Sequence, residues 1–175
     1  ILKDLQDSGY TVTARVLNAA YLDVPQARER LIFVGVRNDL VKKGFRPVHP
    51  EPVSNPISVR QALPHIHFIK NKKNGILTYV PADIPSPTIV ASDGTNSETA
   101  GFSCGGFVET EDGERRKYTI KELKVISTFP RDFKFTGTYK QRYERIGRAV
   151  PPMMMYHVSR VIAAKILTPY YAAKA

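Results

Sequence analysis

The sequence holds a single cysteine, Cys104, so an internal disulfide framework is excluded and a reducing, cytosolic compartment is expected. No apolar run approaches the ~20 residues that cross a bilayer, and nothing at the start reads as a secretion signal. Four histidines are scattered along the chain, so no metal-ligand cluster is expected. Internal repeats and low-complexity tracts are absent. Acidic residues are short: 16 Asp and Glu against 26 Lys and Arg, a net charge of +10. That imbalance fits a polyanionic partner, and equally an ordinary basic surface. The first residue is Ile1, and residues 1–8 read as a helix already under way and stopped by Gly9. We therefore expect a piece of a longer polypeptide. With 175 residues, 42% of them hydrophobic, it can form one domain or one lobe of a larger protein.

The most informative stretch is 10–37. It reads as a strand over 11–19, a loop of ~11 residues, and a second strand over 31–37. The loop carries Val24-Pro25-Gln26-Ala27-Arg28-Glu29-Arg30. Gln26, Arg28 and Arg30 alternate, so the pleat points them the same way, with Glu29 opposite. This predicts two fixed positive charges and an amide on one surface. The apolar run of the second strand, with Leu31, Phe33 and Gly35 alternating with Ile32, Val34 and Val36, predicts a strand covered on both faces.

Residues 38–55 form a basic, proline-containing connector. Ser58 caps a short helix over 58–63. Residues 65–73 read as a polar, basic stretch, followed by an Asn74-Gly75 turn and a strand over 76–80. A short strand is expected at Thr88-Ile89-Val90, then a Gly-, Ser- and Thr-rich loop. Residues 107–118 read as strand ends around an Asp112-Gly113 turn. Thr119 and Glu122 form a capping box opening a helix to about Thr128, with Leu123, Val125 and Ile126 facing inward. A basic helix is expected over 139–146. Pro152 begins the last helix, where Met154, Val158, Val161, Ile162 and Ile166 fall at helical spacing.

Three stretches, in order, resemble the C-terminal half of DNA cytosine-5 methyltransferases. The first is Leu17-Asn18-Ala19-Ala20, Val24 to Arg30 and Phe33-Val34-Gly35, similar to that family's eighth motif. The second is Ser86-Pro87-Thr88-Ile89, then Arg116 to Glu122 and Phe129-Pro130-Arg131-Asp132-Phe133, similar to the ninth. The third is Tyr143-Glu144-Arg145-Ile146-Gly147-Arg148-Ala149-Val150-Pro151-Pro152, similar to the tenth. The resemblance implies an α/β fragment: the last strands of a Rossmann-like methyltransferase sheet, a small, irregular, mostly β target-recognition lobe, and a C-terminal helix. The implied divisions are 1–38 for the end of the catalytic sheet, 39–138 for the recognition lobe, and 139–175 for the motif and helix returning to the catalytic lobe.

By the same resemblance, Arg30 contacts the flipped cytosine at O2, Arg28 steadies the DNA backbone, and Gln26 is its polar support. Thr88 meets a phosphate near the target base. Ser92 and Gly94 lie in the loop 92–105, which resembles the recognition loop. Lys72, Lys73 and Arg116, with Lys70, Arg115 and Lys117, are candidates for phosphate contact. Arg148, Ala149 and Val150 match positions beside S-adenosyl-L-methionine. Arg148 departs from the family pattern, which has Asn there. Met153, Met154 and Met155 read as flexible core filling.

The family's nucleophilic thiolate sits in a Pro-Cys loop and its carboxylate in a Glu-Asn-Val motif. Neither occurs here, nor does a Gly-x-Gly cofactor turn. Cys104 follows Ser103 and reads as a packed or loop thiol. The expected partners are duplex DNA and the N-terminal catalytic lobe, in cis or as a separate chain, in a bacterial cytoplasm at the nucleoid. The alternatives are a non-catalytic DNA-binding subunit of a split enzyme, and a basic nucleic-acid-binding domain without catalysis.

Overall fold

A computed structural model describes residues 2–53, 55–73, 76–91 and 106–174 of the chain. It is a mixed α/β structure with small sheets. Helix α1 (Leu2–Asp7) leads through Gly9, whose φ of +88° favours glycine, into strand β1 (Tyr10–Asn18). After a 3₁₀ turn (Ala19–Tyr21) come the short strand β2 (Gln26–Ala27) and the long strand β3 (Glu29–Arg37). β1 and β3 pair antiparallel from Tyr10↔Arg37 to Asn18↔Glu29.

The register sorts the two faces of this hairpin. On one, Leu17, Val34 and Val36 are buried. The residues after β3, which open with helix α2 (Asn38–Val41), fold back over the same face. There Thr11 bonds Asn38, Thr13 meets His49, and Arg15 pairs with Glu51 at 2.6 Å. On the other face Val16 is 59% and Leu31 53% exposed, in line with Tyr10, Ala14 and Phe33. The strand is thus covered on one face, not both. A run of apolar residues alone does not distinguish the two cases.

Helix α3 (Val59–Ala62) starts at Ser58 with a full capping box. The stretch read as polar and basic forms strand β4 (Ile66–Lys73), because Ile66 and Ile69 anchor it in a core. With β5 (Ile76–Pro81), β7 (Phe107–Thr110) and β8 (Arg115–Lys117) it makes an antiparallel sheet ordered β5-β4-β7-β8. The strand expected at Thr88-Ile89-Val90 lies slightly earlier: β6 (Ser86–Pro87) pairs in parallel with β2.

Helix α4 (Ile120–Ile126) opens with the Thr119–Glu122 capping box. Leu123 and Ile126 are buried, whereas Val125 is 37% exposed, since residues two apart on a helix lie on different sides. Helix α5 (Tyr139–Arg148) is capped by Thr138, and α6 (Pro152–Ile162) starts on Pro152. A π-helical turn (Ala163–Leu167) and α7 (Thr168–Ala172) follow. Met154 and Val158 are buried in α6; Met155 is 39% exposed and is no core filler.

Two apolar cores result. One joins Val59, Ile66, Ile69, Ile89, Val108, Leu123 and Ile126 with Tyr143 and Ile146 of α5. The other joins Leu17, Ala19, Leu22 and Val24 with Met154 and Val158 of α6. Helix α5 therefore packs with the β5-β4-β7-β8 unit, and the chain crosses between cores at 147–152, not at 139.

Candidate functional site

The Gln26–Arg30 segment runs where the two cores meet. Val24 O accepts from Gln26 N at 2.7 Å and Gln26 O from Arg28 N at 3.0 Å, while Ala19 N donates to Arg28 O at 2.9 Å. These bonds close the loop on itself and fix the alternation. Gln26 and Arg28 are each only 1% exposed, and Ala27 and Glu29 face out. Alternation holds as expected, but the shared side of Gln26 and Arg28 is the interior and not a surface.

Both side chains grip one residue. Gln26 Oε1 accepts from Ile89 N at 3.2 Å, and Arg28 Nη1 donates to Ile89 O at 3.0 Å. They extend with side chains the ladder that β2 and β6 begin with backbone. Gln26 Nε2 also donates to Ser127 Oγ at 3.2 Å, and Arg28 Nη2 donates to Gly147 O at 2.8 Å. The two residues thus tie the hairpin to β6, to the end of α4 and to the end of α5. Burial, with Arg30 nearby, pushes the Arg28 guanidinium down to about 10, so it stays charged at neutral pH.

Gly147 makes this junction possible. A Cβ there would lie 2.7 Å from Ala91 N and 2.9 Å from Ala91 Cα, both backbone atoms. Thr88 donates its hydroxyl to Ala27 O at 2.8 Å. It helps hold the junction and is half-buried.

Arg30 differs from its two neighbours. It is half-buried at the start of β3, and its Nη1 donates to Glu29 O at 2.6 Å. Of the three it is the one whose guanidinium reaches solvent.

Arg116 is occupied. Its Nη1 and Nη2 donate to the two Glu122 oxygens at 2.9 and 2.8 Å, and Glu114 lies at 3.4 Å. Glu122 also meets His65 Nε2 at 2.6 Å and accepts from Thr119 N at 2.7 Å. Burial would raise the Glu122 carboxyl, but Arg116, His65 and Thr119 outweigh it and hold it at about 2. Arg116 is therefore held in an ion pair with Glu122, its side chain 24% exposed. Arg115 pairs with Glu109 and lies over the Tyr79 ring. Lys70 and Lys117 both lie over the Phe107 ring. The side chains of Lys72 and Lys73 lie outside the described residues, as do Ser92, Gly94 and Cys104.

Arg148 is 75% exposed, 4.0 Å from Glu144 one helical turn back. Ala149 ends α5 in an extended conformation, and Val150 packs on the second core. Arg148 does not share a surface with Gln26 or Arg28, both of which are inside.

The profile of the C-5 cytosine-specific DNA methylases matches residues 1–80 and 67–164. The chain belongs to the C-5 cytosine-specific DNA methylase family. It is 28% identical over 208 residues to the Type II methyltransferase M.NgoFVII of Neisseria gonorrhoeae, covering 93% of this chain and 52% of that protein. To M.BspRI of Lysinibacillus sphaericus it is 30% identical, covering 93% and 46%. The chain thus spans about half the length of the curated relatives it matches. The fold is similar to that of a Spodoptera frugiperda DNMT2 mutant, with a TM-score of 0.64 at 13% identity over 89% of this chain and 58% of that one. It is also similar to Schizosaccharomyces pombe Dnmt2, with a TM-score of 0.60 at 15% identity over 93% and 58%.

Within this methylase chain several site residues carried no sequence signal that set them apart. Ser127 holds Gln26, Ile89 is gripped on both sides of its backbone, and Asp23 meets His157 at 2.8 Å. Glu122 had a signal, the capping box, but that signal does not announce the Arg116 and His65 partners.

Proposed function

We propose that this chain is the DNA-recognition and partial active-site portion of a DNA cytosine-5 methyltransferase acting on duplex DNA. The observation that carries the reading is the family match running through residues 1–164. In this reading Arg30 places a fixed positive charge at O2 of a cytosine turned out of the duplex. It stabilises the electron density that accumulates in the ring when a thiolate adds to C6. Gln26 and Arg28 act one step back. Buried on the Ile89 backbone, they fix the line of the chain that delivers Arg30.

S-adenosyl-L-methionine supplies the methyl group when bound. Ala149 and Val150, half-buried and apolar with extended backbone at Ala149, fit one wall of its site. They offer no side-chain donors, and the sequence has no Gly-x-Gly turn, so the rest of that site belongs to another part of the enzyme. The exposed apolar face of the β1–β3 hairpin supports the same view, since Val16 and Leu31 call for a cover. That cover is the catalytic lobe carrying the Pro-Cys and Glu-Asn-Val motifs, in cis or as a separate chain.

The test uses duplex DNA and labelled S-adenosyl-L-methionine. The complete enzyme is expected to label cytosine, and Arg30→Ala to lower kcat by about 100-fold or more, the scale of losing one preorganised charge donor. The isolated 175 residues are expected to transfer nothing. Activity in that fragment alone, or full activity in Arg30→Ala, overturns the reading.

A further inference from the structure

Among the described residues, two that are not glycine have left-handed backbone: Asp23 at φ +57° and Thr128 at φ +58°. A β-branched residue is an outlier there. Thr128 follows the C-cap of α4. Its N–H donates to Val125 O, and the next N–H, of Phe129, donates to Lys124 O. This is the helix-ending motif that ordinarily uses glycine at the Thr128 position. The backbone gains nothing from threonine, so the reason lies in the side chain.

The Thr128 side chain reaches another helix. Its Oγ1 accepts from Met153 N at 3.1 Å while donating to Ser127 O at 2.8 Å. Met153 sits in the first turn of α6, where backbone N–H groups lack intrahelical partners. The residue before α6 is Pro151, which provides no side-chain cap. Thr128 is a cap lent to α6 from a distant part of the chain. Its neighbour Ser127 holds Gln26.

Asp23 repeats the arrangement from the other side. It lies three residues before Gln26, between buried Leu22 and Val24. Its Oδ2 meets Nε2 of His157, a buried residue of α6, at 2.8 Å. Both residues thus bind α6; Asp23 lies three residues before Gln26, and Thr128 follows Ser127, whose hydroxyl accepts from Gln26 Nε2.

We propose that Thr128 and Asp23 are positioning residues that lock the Gln26–Arg30 segment to α6, and so set the place of Arg30 in the methyl-transfer reaction. The inference rests on the functional reading given above. Strain of this kind persists only where the surroundings fix it, and it gathers at functional sites.

The test uses the complete enzyme with Thr128→Gly and Asp23→Gly, which suit the backbone but remove the side-chain bonds, and with Thr128→Ser and Asp23→Asn, which keep them. Each glycine variant is expected to lower kcat by about tenfold or more while KM for DNA moves less than about threefold. Its thermal midpoint should stay near that of the wild type, because relief of backbone strain offsets the lost bond. Hydrogen exchange at the 27–30 amides should quicken by about tenfold. The serine and asparagine variants should restore kcat and protection. Wild-type kcat in both glycine variants overturns the proposal, as does a loss no greater than the drop in folded fraction, or no rescue by the conservative variants. A wild-type enzyme that does not methylate cytosine would instead sink the functional reading. The lock would then stand or fall on exchange, and unchanged protection at 27–30 overturns it.

Discussion

Arg28 shows how a charged side chain can be structural by position. It is 1% exposed and gives its fork to the carbonyls of Ile89 and Gly147, so removing it leaves two buried acceptors without a donor. Arg28→Met is expected to destabilise the protein by about 2–4 kcal/mol, read as a lower urea midpoint at unchanged slope. Arg28→Lys should recover only part of that, because an ammonium on a single stem cannot reproduce the planar fork. Glu122 gives a pH-dependent counterpart. Its carboxyl is held at about 2 in the folded state against an ordinary 4.5. A depressed carboxylate stabilises fully above its unfolded value, and this stability is lost as pH falls from about 4.5 through about 2. The contribution is at most about 3.5 kcal/mol, from about 1.4 kcal/mol per unit. Glu122→Gln should remove that pH dependence from acid-unfolding curves and lower stability at neutral pH, since Arg116 loses its buried partner.

At the scale of elements, the design is a crossing. The ends of α4 and α5, the start of α6, β2 and β6 converge on the Gln26–Arg28 segment. Gly147 is the point of closest approach. Gly147→Ala drives a methyl into the Val90–Ala91 backbone, which cannot rotate away as a side chain would. The expected cost is about 1–3 kcal/mol. The Arg28–Gly147 bond should loosen with it, visible as faster exchange across the junction. The helix starts were legible in the sequence, whereas β2 fell inside a stretch read as loop and β6 lies just before the strand expected at 88–90. Ser58, Thr119 and Pro152 begin helices for local reasons: a side-chain oxygen over free N–H groups, or a ring that fixes φ. Strand β4 was less legible, because its lysines mask Ile66 and Ile69, which pack with Val108 and the rest of the core.

For the molecule as a whole, two cores share one junction, and one hairpin face remains uncovered. If that face seats the catalytic lobe, Val16→Lys with Leu31→Glu should change the stability of the isolated chain by no more than about 0.5 kcal/mol, as at a solvent-facing site. The same pair should strongly weaken the complete enzyme, or its reconstitution from two chains, measured by thermal unfolding or co-purification. Equal effects in both would show that the face is surface in the whole protein.

The family was legible because three stretches that resemble its motifs stand in its order: Gln26, Arg28 and Arg30, then Ser86-Pro87-Thr88, then Gly147 and Ala149-Val150. The relative sides of Gln26, Arg28 and Glu29 were legible too, because alternation is a property of the pleat. The sequence by itself therefore determined the family and where helices begin. It did not determine which side was inside. Burial of Gln26 and Arg28 depends on Ile89, Ser127 and Gly147, which lie 61 to 119 residues away in the chain, and no local pattern encodes such partners. Only the tertiary structure turned two apparent surface groups into a buried clasp and left Arg30 of the three to face solvent.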